Sequence, residues 1–281
     1  MSSSKSHSRR PWWSTLGIYA GLSLAAFIMV VPLLFSFVTA FKSPQDFASH
    51  SPFALPSHPS LASFQAILTG RVNFGDAIIT TLLMVVVMVV GQLVSSVLAA
   101  YAFARIEFPG REVIFWLFLG TMMIPASVLV IPLYLMMAKM GLNNTFWGIV
   151  LPFVFASPYA VFLLRQSFRQ IPQEIIDAAT MDGAGQMRIL FSIVVPVSKP
   201  IISTLVLITV VSQWNSFMWP RIIAATRPRV LTVATAALQS QYNANWTYVM
   251  AATTIALVPL IALFIVFQRH IVESIALTGI K

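Results

Sequence analysis

Six stretches of this chain are each long and apolar enough to cross a lipid bilayer, at roughly 15–41, 77–104, 113–138, 147–167, 199–220 and 247–268. Spanning hydrocarbon takes about 20 mostly apolar residues in a helix. No water is available there, so every backbone N–H and C=O must be satisfied within the chain. Continuous apolar runs of this length predict membrane-spanning helices. The expected fold is an all-α membrane protein of six transmembrane helices, with the lipid bilayer as its main partner. Composition agrees: of 281 residues, 58% are hydrophobic and 9% charged, against about 25% charged in soluble domains.

The charges orient the spans. With the N-terminus inside, Lys5, Arg9, Arg10, Arg105, Arg111, Arg165, Arg169, Arg188, Lys199, Arg269 and Lys281 lie on the inner side. Only Lys42, Arg71, Lys139, Arg221, Arg227 and Arg229 lie outside. The positive-inside rule selects this orientation, with both termini cytoplasmic. It also accounts for the net charge of +9 without a nucleic-acid partner. The first span follows basic residues as a signal peptide would, and "VTA" at 38–40 resembles a cleavage site. Its apolar run is too long for a signal sequence, so a retained helix is expected. Residues 1–14 read as an inner tail, 15–268 as the six-helix transmembrane domain and 269–281 as a second inner tail. The outer loop 42–76 is proline-rich at "SPFALPSHPS" and then predicts a short helix at "SLASFQAILTG", with Ser60 as its cap and Gly70 as its stop. Pro32, Pro125, Pro132, Pro152, Pro158 and Pro259 fall inside spans, where they either shape helices or open a cavity.

Several chemistries are excluded. There is no cysteine, hence no disulfide, thiolate metal site or thiol nucleophile. His7, His50, His58 and His270 have no metal-ligand spacing, and no G-x-x-x-x-G-K-[ST] is present. No charged residue lies near the middle of a span, which argues against a proton-coupled carrier. It argues against a membrane enzyme too. Free energy for uphill movement would have to come from another subunit.

Against this background "IPQEIIDAATMDGAGQMRILFSIVVPVSKP", residues 171–200, stands out. It holds three of the eight acidic residues, Glu174, Asp177 and Asp182. Pro172 suits the first position of a helix, and Glu174 complements the positive end of its dipole. A helix over 172–181 follows, ended by Gly183 in a left-handed conformation. A second helical run to Pro196 merges into the fifth span. So short a helix is marginal alone and calls for a surface to pack on, with a partner protein the natural one.

The spacing Asp177-Ala178-Ala179-Thr180-Met181-Asp182-Gly183-Ala184, then Phe191, Ile193, Pro196 and Pro200, resembles the cytoplasmic "EAA" loop of bacterial ABC importer permeases. Asp177 stands where the family's first Glu does, shorter but equally charged. "AAYAFARIEFPGR" (99–111), "QWNSFMWP" (213–220) and "FQRHIVESIALTGIK" (267–281) resemble the carbohydrate-uptake branch, the last with an altered end. The resemblance covers about residues 14–281. It implies the type I ABC importer permease fold in a bacterial inner membrane. It implies a second homologous permease, two ATP-binding subunits and an extracytoplasmic solute-binding protein as partners. This chain would bind no cofactor; ATP and Mg would belong to the ATP-binding subunits. Within loop 168–198, Glu174, Asp177, Ala178, Ala179, Asp182, Gly183 and Ala184 would form the coupling helix and its turn. A sugar-like solute is implied, with glycerol phosphate or glycerophosphodiesters as the alternative. A stand-alone carrier or channel is the rival class.

Sugars need hydrogen-bonding and aromatic groups in a wet cavity. Ser212, Gln213, Trp214 and Asn215 supply these about 20 Å up the fifth span from Pro200. The alternative is hydrogen bonding between helices. Gly91, Ser95 and Ala99 form a small-residue stripe suited to packing, with Gln92 and Ser96 beside it as further cavity candidates. Trp12, Trp13, Trp147, Trp219 and Trp246 sit near span ends as expected interfacial anchors.

Overall fold

The computed structural model describes residues 12–51, 53–70, 73–241 and 245–278. The residues placed in the N-terminal tail before Trp12, Arg71 and the last three residues lie outside that set. Helix α1 spans Trp12–Ala40, followed by short helices α2 (Pro44–Ser49) and α3 (Ala62–Thr69). The predicted short helix is therefore present. Its capping position is Leu61, not Ser60, whose Oγ accepts the Ala62 N–H at 3.1 Å from one residue earlier, and Gly70 follows its last residue. Helix α4 then runs without a break over Phe74–Arg105. A turn follows at Phe108-Pro109-Gly110-Arg111. The Arg111 N–H returns to the Phe108 carbonyl, and Gly110 takes φ +79°. Proline second and a positive-φ glycine third is the residue order a type II turn requires.

Among the described residues three candidate spans are single helices and three are bent pairs. The third joins α5 (Arg111–Gly120) and a 3₁₀ turn to α6 (Ala126–Lys139), with a 100° bend. Pro125 disfavours helix at the residue before it, and Ile124 is extended. The fourth joins α7 (Phe146–Val150) and a 3₁₀ turn to α8 (Pro158–Arg169), bent by 41°. Pro158 acts in the same way on the extended Ser157. After α9 (Gln173–Met181), the fifth passes from α10 (Gln186–Ile189), a π turn and α11 (Val195–Val197) into α12 (Lys199–Trp214). It bends by 80° at Ser198, between Pro196 and Pro200, which both lack a donor for the ladder. The expected smooth merger is thus a sharp corner. Pro32, Pro132 and Pro259 lie inside continuous helices, so proline alone does not decide where a span breaks.

Two boundaries differ from the sequence reading. The fifth span stops at Trp214, not 220; α13 (Met218–Ile223) and α14 (Leu231–Gln241) follow separately. Asn215 ends α12 by turning its side-chain amide onto the Val211 carbonyl at 2.8 Å, the local competition with the helix typical of Asn. The last helix, α15 (Trp246–Thr278), carries on through most of the proposed C-terminal tail.

The bundle has two apolar cores. One, at the end that holds α2 and α3 (the far end), gathers Ala40, Ile67, Phe74, Met84, Met88, Ile149 and Trp219. The other, at the end that holds α9 (the loop end), gathers Val97, Tyr101, Phe115, Leu164, Phe168, Ile176 and Ile189. Among the described residues α4 and α12 each contribute to both, α12 through Trp214 at the far end and Leu205 at the loop end. By contrast α1 leaves Leu22, Phe27, Ile28 and Met29 exposed, a surface for lipid or another chain.

Candidate functional site

At the loop end α9 lies with one face on the core and one face free. Ile176 and Ala179 are buried, three residues apart and so on the same side of the helix. Glu174, Ile175, Asp177, Ala178, Met181 and Asp182 face away from the bundle, with Met181 88% exposed. The helix begins at Gln173, one residue after Pro172, which occupies the capping position. Its end is a Schellman motif. The Gly183 N–H bonds the Thr180 carbonyl and the Ala184 N–H bonds the Ala179 carbonyl, both at 3.0 Å, and Gly183 takes φ +78°. This pairing satisfies carbonyls that a helix end leaves orphaned. Ala184 is half-buried against the loop-end core. Ala179 is the correction to the sequence set: it is turned inward and is not part of the free face.

Sequence reasoning missed what holds this helix in place. Arg105 donates to the Phe168 and Ile171 carbonyls and, at 2.7 Å, to Gln173 Oε1. A cation at the C-terminus of α8 suits the negative end of that helix. Gln173 in turn donates to Asp177 Oδ1 at 2.9 Å. One turn earlier on α4, the Tyr101 hydroxyl lies 2.6 Å from Gln186 Oε1. Beside them Arg165, only 3% exposed, donates to Glu112 and the Phe103 carbonyl and lies 3.9 Å over the Phe115 ring. In the sequence Arg105 and Arg165 read only as inner-side topology charges. The signal available was the (i, i+4) placement of Tyr101 and Arg105, which puts both on one face.

The pathway candidates divide. Ser212 and Asn215 are exposed and Gln213 is half-buried. Trp214 is 4% exposed, and its indole N–H donates to the Ala256 carbonyl at 3.1 Å, so it is a core residue. Gln92 donates to the Phe153 carbonyl, and Ser96, fully buried, accepts the Ser157 N–H at 3.2 Å. Both groups lie in the break of the fourth span. Freed backbone groups at membrane depth need such partners; Ser96 therefore lines no cavity in this conformation. Gly91 meets the same break, and a Cβ there would stand 2.5 Å from the Val154 oxygen. Trp219 is also corrected: it is 7% exposed and donates to the Gly148 and Ile149 carbonyls. It is no interfacial anchor. Trp13, Trp147 and Trp246 are exposed as expected, and the Trp12 side chain lies outside the described residues.

Comparison with known proteins adds independent findings. The profile of the family described as binding-protein-dependent transport system inner membrane component matches residues 92–276. The chain is 31% identical, over 92% of its length and 86% of the relative's, to the diacetylchitobiose uptake system permease protein NgcG of Streptomyces coelicolor. It is 31% identical over 93% of its length, and 94% of the relative's, to the arabinooligosaccharides transport system permease protein AraQ of Halalkalibacterium halodurans. Over 72% of its length and 73% of the relative's it is 34% identical to the sn-glycerol-3-phosphate transport system permease protein UgpE of Yersinia enterocolitica. Its fold superposes with TM-score 0.81 and 24% identity, over 94% of this chain and 98% of the other, on a chain of a bacterial ABC transporter that imports the acidic polysaccharide alginate. A free amphipathic helix closed by Gly183 at one end of a six-span bundle, a profile match across two thirds of the chain and relatives alike over nearly all of it lead to one assignment: the chain belongs to the family of inner membrane components of binding-protein-dependent transport systems.

Proposed function

We propose that this chain is one transmembrane half of an ATP-driven importer for a sugar or oligosaccharide, and that it couples to an ATP-binding subunit through residues 171–200. The observation that carries this reading is α9. Its free face mixes Ile175, Ala178 and Met181 with Glu174, Asp177 and Asp182, the apolar centre and charged rim of a protein-docking surface. In this reading Glu174, Asp177, Ala178, Asp182 and Gly183 form or shape the contact, and Ala179 and Ala184 seat it on the bundle. The loop end faces the cytoplasm, with both termini on that side. A second permease completes the pathway, two partner subunits bind and hydrolyse ATP with Mg, and a solute-binding protein delivers solute from outside. Alternation between inward-open and outward-open states is then a two-state equilibrium biased by ATP. In this reading Asn215, Ser212 and Gln213, at the far end of α12, are the groups of this chain that meet solute.

Two sugar-system relatives similar over nearly the whole chain support a saccharide. The glycerol-3-phosphate relative supports a second reading, a phosphorylated polyol or its diesters by the same mechanism. The test is reconstitution. The purified chain alone should hydrolyse no ATP, and activity should appear only with both ATP-binding subunits and the second permease. Calorimetry on the solute-binding protein with oligosaccharides and glycerophosphate esters then decides the substrate. ATP hydrolysis by this chain alone would overturn the assignment.

A further inference from the structure

Helix α4 is fastened to something at three heights. At the loop end, Tyr101 holds Gln186 just after α9, and Arg105 holds Gln173 at its start together with the Phe168 and Ile171 carbonyls leading into it. Halfway along, Gln92 and Ser96 hold both sides of the break in the fourth span, and Gly91 lets Val154 approach. Towards the far end, Thr81, fully buried, accepts the Leu231 N–H at 2.7 Å, where α14 begins. The helix has 32 residues and no proline, hence a straight length of about 48 Å.

From this geometry we infer that α4 is the rod that carries displacement of α9 into the membrane, with Arg105 and Tyr101 as the positioning residues that fasten the two together. The inference rests on the reading of 171–200 as the coupling segment. A helix joined to its bundle only by the turns at 170–172 and 182–185 could pivot about them and dissipate a push. Arg105 holds the first residue of α9 and Tyr101 the first residue of α10, beyond the 182–185 turn, so one face of a single helix restrains the chain on both sides of that pivot. The mid-height contacts make the consequence specific. Motion of α4 pulls directly on the two sides of an existing break, where the Phe153 carbonyl and the Ser157 N–H have α4 side chains as partners. The bend of the fourth span is then the element that switches, while the two apolar cores on either side move as units.

The experiment uses the assembled importer in proteoliposomes, with Arg105→Gln, Arg105→Lys and Tyr101→Phe. None of these changes the free face of α9, so the ATP-binding subunit should co-purify as it does with the unmutated chain. Losing hydrogen bonds from a charged donor should lower solute-stimulated ATPase and uptake by about tenfold or more in Arg105→Gln. Arg105→Lys, which keeps the charge and part of the reach, should recover a portion. Spin labels at Met187→Cys and Val86→Cys, both exposed, give the decisive readout. Their separation should stay constant between ATP-bound and ATP-free states in the otherwise unmutated chain and should vary in Arg105→Gln. Should Arg105→Gln fail to assemble, Tyr101→Phe, which removes one hydroxyl, takes its place and must show the same varying separation. The inference is overturned if the separation varies with nucleotide while both fasteners are present. It is equally overturned if the variant in use couples at the unmutated level. Failure of the unmutated chain to bind the ATP-binding subunit through 171–200 would instead refute the functional reading itself.

Discussion

The indole of Trp214 donates to the Ala256 carbonyl at 3.1 Å, tying the end of α12 to the third turn of α15, while its neighbour Asn215 is exposed. Adjacent residues of one motif thus have opposite duties. Trp214→Ala should destabilise the bundle by about 3–5 kcal/mol through the cavity it leaves, seen as reduced yield and a lower melting temperature of the complex. Asn215→Ala should leave yield and melting temperature unchanged and reduce uptake severalfold. Equal loss of assembly in both variants would return Asn215 to a packing role.

Gly183 has φ +78° and open space where a Cβ would stand. Substitution there meets no clash, only the backbone cost of about 1 kcal/mol or more for a left-handed residue with a Cβ. Gly183→Val should leave the spans folded, weaken docking of the ATP-binding subunit and uncouple or abolish uptake. Gly183→Asn should be milder, because Asn tolerates this conformation. Co-purification together with substrate-stimulated ATPase activity tests both; unmutated levels in the Val variant would show that the turn does not require glycine.

Gly91 and Gly75 make a matched pair on α4. A methyl at Gly91 would stand 2.5 Å from both the Val154 oxygen and its Cγ2, whereas one at Gly75 meets nothing within 4 Å. Gly91→Ala should therefore cost about 1–3 kcal/mol of stability by overpacking. Gly75→Ala should be neutral or stabilising by up to about 1 kcal/mol, since alanine favours helix. Thermal unfolding followed by tryptophan fluorescence compares them; equal melting temperatures would mean that α7 and α8 yield freely to α4.

Asp46 gives the far-end loop a predictable pH response. Its carboxylate accepts the Ser57 hydroxyl at 2.8 Å and the Ser57 N–H at 3.1 Å. The side-chain bond chiefly, with the backbone bond and the His50 and Lys42 charges, outweighs partial desolvation and holds its pKa below the usual carboxylate value. A depressed folded-state pKa means that the stabilisation is complete above the unfolded value, about 3.9, and is lost as pH falls through the folded one. A spin label at His58→Cys should stay immobilised from neutral pH down to about 4 and loosen only below. Asp46→Asn should be loose already at pH 7. A label that loosens between pH 7 and 5 would point to a different latch.

Much of the molecule was legible along the chain because hydrocarbon is a severe solvent. Span number and helical class follow from it, and Pro172 to Gly183 announced a short helix by local rules that need no tertiary partner. The free face of α9 was not legible in the same way, because it carries Ile175, Ala178 and Met181 beside the acidic residues while Ile176 and Ala179 turn inward. Reading failed where a residue's neighbour is distant in sequence. Trp214 and Trp219 looked like a solute contact and an interfacial anchor, because aromatic type and span position say nothing of a carbonyl 42 or 71 residues away.

The sequence by itself determined that this chain must satisfy its backbone in helices across a bilayer, that the charged helix lies between the fourth and fifth spans, and that Gly183 would close it. Those are solvent and local-dihedral requirements, enforced residue by residue. Only the tertiary structure decided that Gln92 and Ser96 serve a broken neighbour, that Pro125 and Pro158 break spans while Pro132 and Pro259 do not, and that Arg105 holds the start of α9 while Tyr101 holds the start of α10. Each depends on which carbonyls a bend sets free and which side chain stands opposite, and packing alone brings those groups together.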